Sequence, residues 1–203
     1  MSLLWLENVI NKLGRSVEFA LTGQCHFRIS LDLTTVNAQP ISESAQANLA
    51  REEVRTHLRD LFGIDHTWPI LIDLRQPPPV GWRASFYNPD GNLGRYTLTK
   101  LHGHPAHTIL VAPGLARMRF CSLLAHELTH AFQRERNILN ANQALREGMA
   151  RWVEWHFLKR CNSPEAEKLL KIRHYTFGRS IETILEFEKN QGRDKTVKWL
   201  CAQ

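Results

Sequence analysis

The chain is expected to fold as α+β, with a small mixed β-sheet in its N-terminal half packed on a helical half. Two features of the sequence lead to this. Short strand-like runs bounded by turn residues alternate with helical stretches as far as Val111, whereas apolar residues from Leu115 onward recur at helical spacing almost to the end. Length agrees: 203 residues that are 43% hydrophobic and 23% charged can bury one ordinary globular core.

Taken in order, Leu3, Leu6, Val9, Ile10 and Leu13 predict a helix over residues 3–13, stopped by Gly14. A strand is expected over 26–33. Ser42 or Ser44 is positioned to cap a helix running through Leu49, Val54 and Leu58 to Phe62, with Gly63 as its C-terminal stop. Residues 1–65 are treated as an N-terminal extension, either accessory or integral, and 66–203 as the main domain. Residues 69–74 read as a short buried strand. Pro77, Pro78 and Pro79 then interrupt regular structure. Residues 81–103 look like a small β-region with a turn at Asn88-Pro-Asp-Gly91, and residues 95–99 alternate as a half-buried strand does. A further strand covers 108–111 and halts at Pro113-Gly114. Helical periodicity follows, with breaks expected at 137–142, 162–164 and Gly192.

The chemistry concentrates in His126-Glu127-Leu128-Thr129-His130, an HExxH pattern inside a predicted helix over 117–134. Residues four apart on an α-helix share one face, so both imidazoles can reach a single Zn²⁺. Glu127, next to the first histidine, is then placed to act as general base on a water molecule. Leu124, Leu128, Ala131 and Phe132 form the stripe that seats this helix in a core. A third ligand has to come from elsewhere. Glu147 is the leading candidate, 17 positions after His130 on a second helix whose stripe is Leu145, Met149, Trp152, Val153, His156 and Phe157. Gly148 and Ala150 are small enough to allow close approach near the metal. Glu154, two turns along, is the rival ligand or else a carboxylate that orients a ligand histidine.

These segments resemble a known family. Residues 107–115, residues 122–131 around HExxH, Glu147-Gly148, residues 175–179 and the closing helix over 194–200 are similar in kind and order to the C-terminal peptidase domain of the ubiquitin-activated, LIM-domain-containing plant organ-size regulator peptidases. The likeness runs from about Pro69 to the C-terminus. It implies a zincin-like fold of the glutamate-zincin type and a zinc endopeptidase acting on protein or peptide substrates. Under it, one Zn²⁺ sits on His126, His130 and Glu147, with Glu127 catalytic. Glu154 falls where the family has a small residue, which favours Glu147 as the ligand. Tyr175 and Arg179 become candidates for stabilising the transition state, ahead of His156 and His174. A LIM cysteine array and a ubiquitin-interacting motif are not visible, so activation by ubiquitin is not carried over.

Peptidases of this kind take an extended peptide along an exposed sheet edge, and Thr108, Ile109, Leu110 and Val111 are read either as that edge strand or as a plain core strand. His102, His104 and His107 are read as ordinary histidines of a loop containing Gly103 and Pro105, in preference to a second metal site. Cys25, Cys121, Cys161 and Cys201 have no CxxC spacing, which suits reduced thiols in a cytoplasmic protein. No run approaches the roughly 20 apolar residues of a spanning helix. The net charge of +6 and a pI near 9.4 give a weak case for nucleic acid, and neither nucleic acid nor membrane is expected as a partner. The alternative to an enzyme is a catalytically silent binding module of the same fold.

Overall fold

The structure, a computed structural model, describes residues 39–77, 93–138, 142–171 and 178–203, without the side chains of residues 178 and 179. The expected helix over 3–13, the strand over 26–33, the turn at 88–91 and residue Tyr175 lie outside this set, as does the side chain of Arg179. The described residues belong to one compact unit, Asn37–Gln203. In chain order they form β1 (Pro40–Ile41), α1 (Ser44–Phe62), β2 (Ile70–Leu74), β3 (Gly94–Leu101), β4 (His104–Val111), β5 (Leu115–Ala116), α2 (Arg117–Glu135), α3 (Gln143–Arg160), α4 (Glu165–Lys171), α5 (Gly178–Gln191) and α6 (Arg193–Cys201).

Helix α1 buries Ala47, Ala50, Val54, Leu58 and Phe62, spaced three or four apart, and packs that stripe on α2. Its start differs from expectation. The N-cap is Glu43, without a side-chain capping bond; Ser44 is already helical, and the Ser42 N–H donates to Gln46 Oε1 instead. Its end is as expected: Gly63 takes φ 64 and donates its N–H to the Arg59 and Leu58 carbonyls. Because α1 supplies core residues to the same cluster as α2, it is an integral part of the compact unit Asn37–Gln203.

The larger sheet has the order β2–β4–β3, with β2 parallel and β3 antiparallel to β4. β1 and β5 form a separate antiparallel pair. Residues Thr108–Val111 therefore cannot be the substrate edge. They lie in the central strand, where Thr108 pairs with both Leu71 and Thr97 and Val111 with both Leu74 and Gly94. The physical reason is burial: Ile109, Leu110 and Val111 are all buried, as both neighbours of a central strand require. β2, expected to be buried, is an outer strand in which only Ile70 is buried. Among the described residues, the other open edge belongs to β3. Strands β3 and β4 are joined by His102 (φ 51) and Gly103 (φ 84), a tight two-residue hairpin turn. The stretch over 102–107 is thus mostly strand rather than loop, and His107 is a buried strand residue rather than an exposed histidine.

Helix α2 lies against β3 and β4, with Leu123 and Glu127 beside Gly94, and it buries Phe120, Leu124, Leu128 and Phe132. Asn137 (φ 56) turns the chain beyond it. Helix α3 opens with Asn142 as its cap, whose side chain accepts the Ala144 N–H at 2.8 Å. It buries Met149, Trp152, Val153 and Phe157 beside α2. Trp152 has no exposed surface, and its replacement by alanine would cost about 3–5 kcal/mol. Gly148 serves a different purpose from the one its sequence position suggests. A Cβ there would stand 2.7 Å from Ser180 Cβ, so the glycine admits α5 against α3 instead of opening space at the histidines. Glu188 on α5 ties three helices together, accepting bonds from Trp152 Nε1 at 2.8 Å and Arg193 Nε at 3.1 Å and pairing with His156 Nε2 at 2.8 Å. None of the described helices is long and apolar enough to cross a membrane.

Candidate metal centre

His126 and His130 project from the same face of α2, and α3 runs alongside to bring Glu147 opposite them. The two Nε2 atoms stand 3.2 Å apart. Glu147 Oε2 is 3.6 Å from His126 Nε2, and Oε1 is 3.6 Å from His130 Nε2. Ligands bound at about 2.0–2.1 Å to one tetrahedral ion are separated by about 3.4 Å, so these spacings fit a single cation. Among the described residues this is the one group of histidine, cysteine and acidic side chains whose ligand atoms all lie within 4.8 Å of one another.

Neighbouring side chains fix which ring nitrogens face inward. His126 Nδ1 lies 3.2 Å from Glu154 Oε2, and His130 Nδ1 lies 2.9 Å from Gln133 Oε1. Both acceptors call for a proton on Nδ1, which leaves Nε2 of each ring as the nitrogen that faces Glu147. Glu154 thus touches the outer side of the site rather than its centre. It is buried and also accepts the Ser122 hydroxyl at 3.0 Å. Gln133 is equally confined, because its Nε2 donates to the Arg146 carbonyl at 2.9 Å and so joins the two ligand-bearing helices.

The charges are coupled. Burial disfavours a proton on His126, but Glu147 and Glu154 outweigh it and hold the ring's pKa up at about 10. Burial would raise Glu147, yet the His126 and His130 rings keep it well below the usual carboxylate range.

Glu127, mostly buried, points to the edge of the sheet, where its Oε2 accepts the Tyr96 N–H at 2.8 Å. That amide is turned away from β4, so the alternating residues Gly94, Tyr96 and Leu98 present their main-chain groups at the edge of β3 that pairs with no other strand among the described residues. A side chain at Gly94 would crowd the same carboxylate, with its Cβ 3.3 Å from Glu127 Oε1. Tyr96 is held in turn: its hydroxyl lies 3.2 Å from His107 Nδ1, and His107 Nε2 lies 2.8 Å from Glu135 Oε1. Glu135 also accepts the Thr67 N–H at 2.9 Å and the Trp68 N–H at 2.9 Å. Burial works against its charge, but these bonds lower its pKa to about 2.

The structure therefore brings His126, Glu127, His130 and Glu147 together around a cleft of about 600 Å³, with Glu154 behind His126. Sequence reasoning passed over Gly94, Tyr96 and Gln133. Only Gln133 carried a signal, three residues after His130 and hence on the same helix face.

These features define an α+β domain whose paired helices carry a candidate metal centre beneath the edge of a three-stranded sheet. The chain belongs to the DA1-like family: the family model described as Protein DA1 matches residues 94–197, just over half of the chain. That span begins at β3 and takes in His126, Glu127, His130, Glu147 and the positions of Tyr175 and Arg179. Comparisons with curated proteins and with solved structures gave no match.

Proposed function

We propose that this chain is a zinc-dependent metallopeptidase of zincin-like fold, hydrolysing peptide bonds in protein or peptide substrates. The observation that carries the reading is the convergence of His126 Nε2, His130 Nε2 and the Glu147 carboxylate at 3.2–3.6 Å, with both Nδ1 atoms already engaged. A zinc ion held there supplies Lewis-acid polarisation of a water molecule and of a peptide carbonyl. Glu127 keeps one oxygen on the Tyr96 amide and offers the other to take the proton of the attacking water. It then hands that proton to the leaving amine, a contribution of about 10²–10⁴ in rate. The open edge of β3 at Gly94 and Leu98 accepts an extended substrate by strand pairing. The free thiols of Cys121, Cys161 and Cys201 suit a reducing compartment such as the cytoplasm.

The test is a peptide-library digest by zinc-loaded protein and by Glu127→Gln. Zinc-dependent cleavage that disappears in the variant, with zinc still bound, is the expected result. Undiminished cleavage by Glu127→Gln would remove the proposed base. A chain that holds zinc and cleaves nothing would point instead to a binding module.

A further inference from the structure

The cleft has an electrostatic character that hydrolysis itself does not require. On α2, Arg134 follows His126 and His130 at the same four-residue interval, so the guanidinium lines the cleft one turn beyond the second histidine. Arg146 lines it from α3, immediately before Glu147, with a buried Nε that has no hydrogen-bond partner. Arg95 borders it on β3. Elsewhere, Arg51, Arg55, Arg75, Arg117, Arg119 and Arg193 pair with a carboxylate, whereas Arg59, Arg136, Arg151 and Arg160 are dispersed outside the cleft without an ion pair among the described residues. Among the described residues, Arg95, Arg134 and Arg146 form no ion pair. The acidic groups lining the cleft offset them only in part: Glu127 and Glu147 are two carboxylates against three guanidiniums, and Glu147 also faces two imidazoles. Unneutralised guanidiniums in a concave, partly desolvated site focus a positive field and match carboxylates in a planar, two-pronged geometry.

We propose that this cleft selects polypeptide segments rich in aspartate and glutamate, with Arg134 and Arg146 as the residues that set the preference. The proposal deepens the metallopeptidase reading and rests on it for the identity of the site. The open main-chain edge of β3 decides between a peptide and a nucleic acid. An extended peptide supplies both donors and acceptors to Gly94 and Leu98, which a phosphate backbone cannot do.

Binding separates this proposal from catalysis. Labelled decapeptides with glutamate-, glutamine- or lysine-rich centres are titrated by fluorescence anisotropy against the full chain carrying Glu127→Gln. The glutamate peptide is expected to bind about tenfold more tightly than the glutamine peptide. Arg134→Gln with Arg146→Gln should abolish that difference. Arg59→Gln with Lys189→Gln, an equal charge change on exposed positions outside the cleft, should leave it within about twofold. Arg134→Lys with Arg146→Lys, which keeps the charge, should retain most of the preference even if the glutamine pair folds poorly. Equal affinity for the glutamate and glutamine peptides, or equal losses in the cleft and control pairs, would overturn the proposal. So would tighter binding of a single-stranded oligonucleotide lost in the same cleft variant. A charge preference without hydrolysis by the unaltered chain would support the cleft's selectivity while contradicting the peptidase reading. Hydrolysis without a charge preference would do the reverse.

Discussion

The main-chain N–H of Tyr96 meets Glu127 Oε2 at 2.8 Å, so the sheet edge and the HExxH helix are fastened together at the one carboxylate the proposed chemistry uses as a base. The contact depends on Gly94, whose missing side chain leaves the other oxygen its space.

Gly94→Ala is therefore expected to displace Glu127 while sparing the fold, since a Cβ at 3.3 Å from Oε1 forces the carboxylate aside. Turnover should fall by about tenfold to a hundredfold, with zinc content and Tm close to those of the unaltered chain. Peptide hydrolysis measured beside thermal unfolding checks this; full activity would show that the spacing is not limiting.

Gln133→Ala and Glu154→Ala should each weaken zinc binding by about 10–100-fold, because each removes the acceptor that orients a ligand imidazole. Competition against a chromophoric chelator measures the change. Gln133→Glu, which keeps the acceptor, should lose less. An unchanged Kd in the alanine variants would mean that other contacts orient the rings.

Zinc uptake should release a proton. In the metal-free chain the pKa of His126 is held up at about 10, so the ring is protonated at neutral pH and must lose that proton to offer Nε2. Affinity is expected to fall by up to about tenfold per unit as the pH is lowered below that value. Calorimetric titration in buffers of differing ionisation enthalpy reads the proton directly, and heats independent of buffer would contradict the assignment.

Glu135 should make the fold acid-sensitive. Its pKa is lowered from 4.5 to about 2 in the folded chain. Its stabilising contribution is therefore fully present above pH 4.5 and lost as the pH falls through about 2. Glu135→Gln should cost about 1–3 kcal/mol at pH 7, with the gap to the unaltered chain closing in acid. Urea unfolding at several pH values tests this, and a gap independent of pH would assign the effect to packing.

The helical half was largely legible because its signals are local. The apolar stripes of α2 and α3, Gly192 and the turn after Glu135 each announce themselves within a few residues, and His126 and His130 share one helix face by spacing alone, with Glu127 about 100° round from the first. Sheet order was not legible. Nothing near Thr108–Val111 reveals that β2, from far upstream, adds in parallel and converts an apparent edge into the centre. His107 was misread for the same reason, since its partners Tyr96 and Glu135 lie 11 and 28 positions away. The two possible roles of Glu154 were visible in the sequence, but choosing between them required the 3.2 Å approach to His126 Nδ1.

Zinc stoichiometry in protein purified without chelators tests the central claim most directly, measured by elemental analysis beside His130→Ala and Glu147→Ala. One zinc per chain in the unaltered protein, lost or sharply reduced in both variants, is the expected result. An unaltered chain that never holds stoichiometric zinc, or variants that keep it undiminished, would contradict the proposed centre.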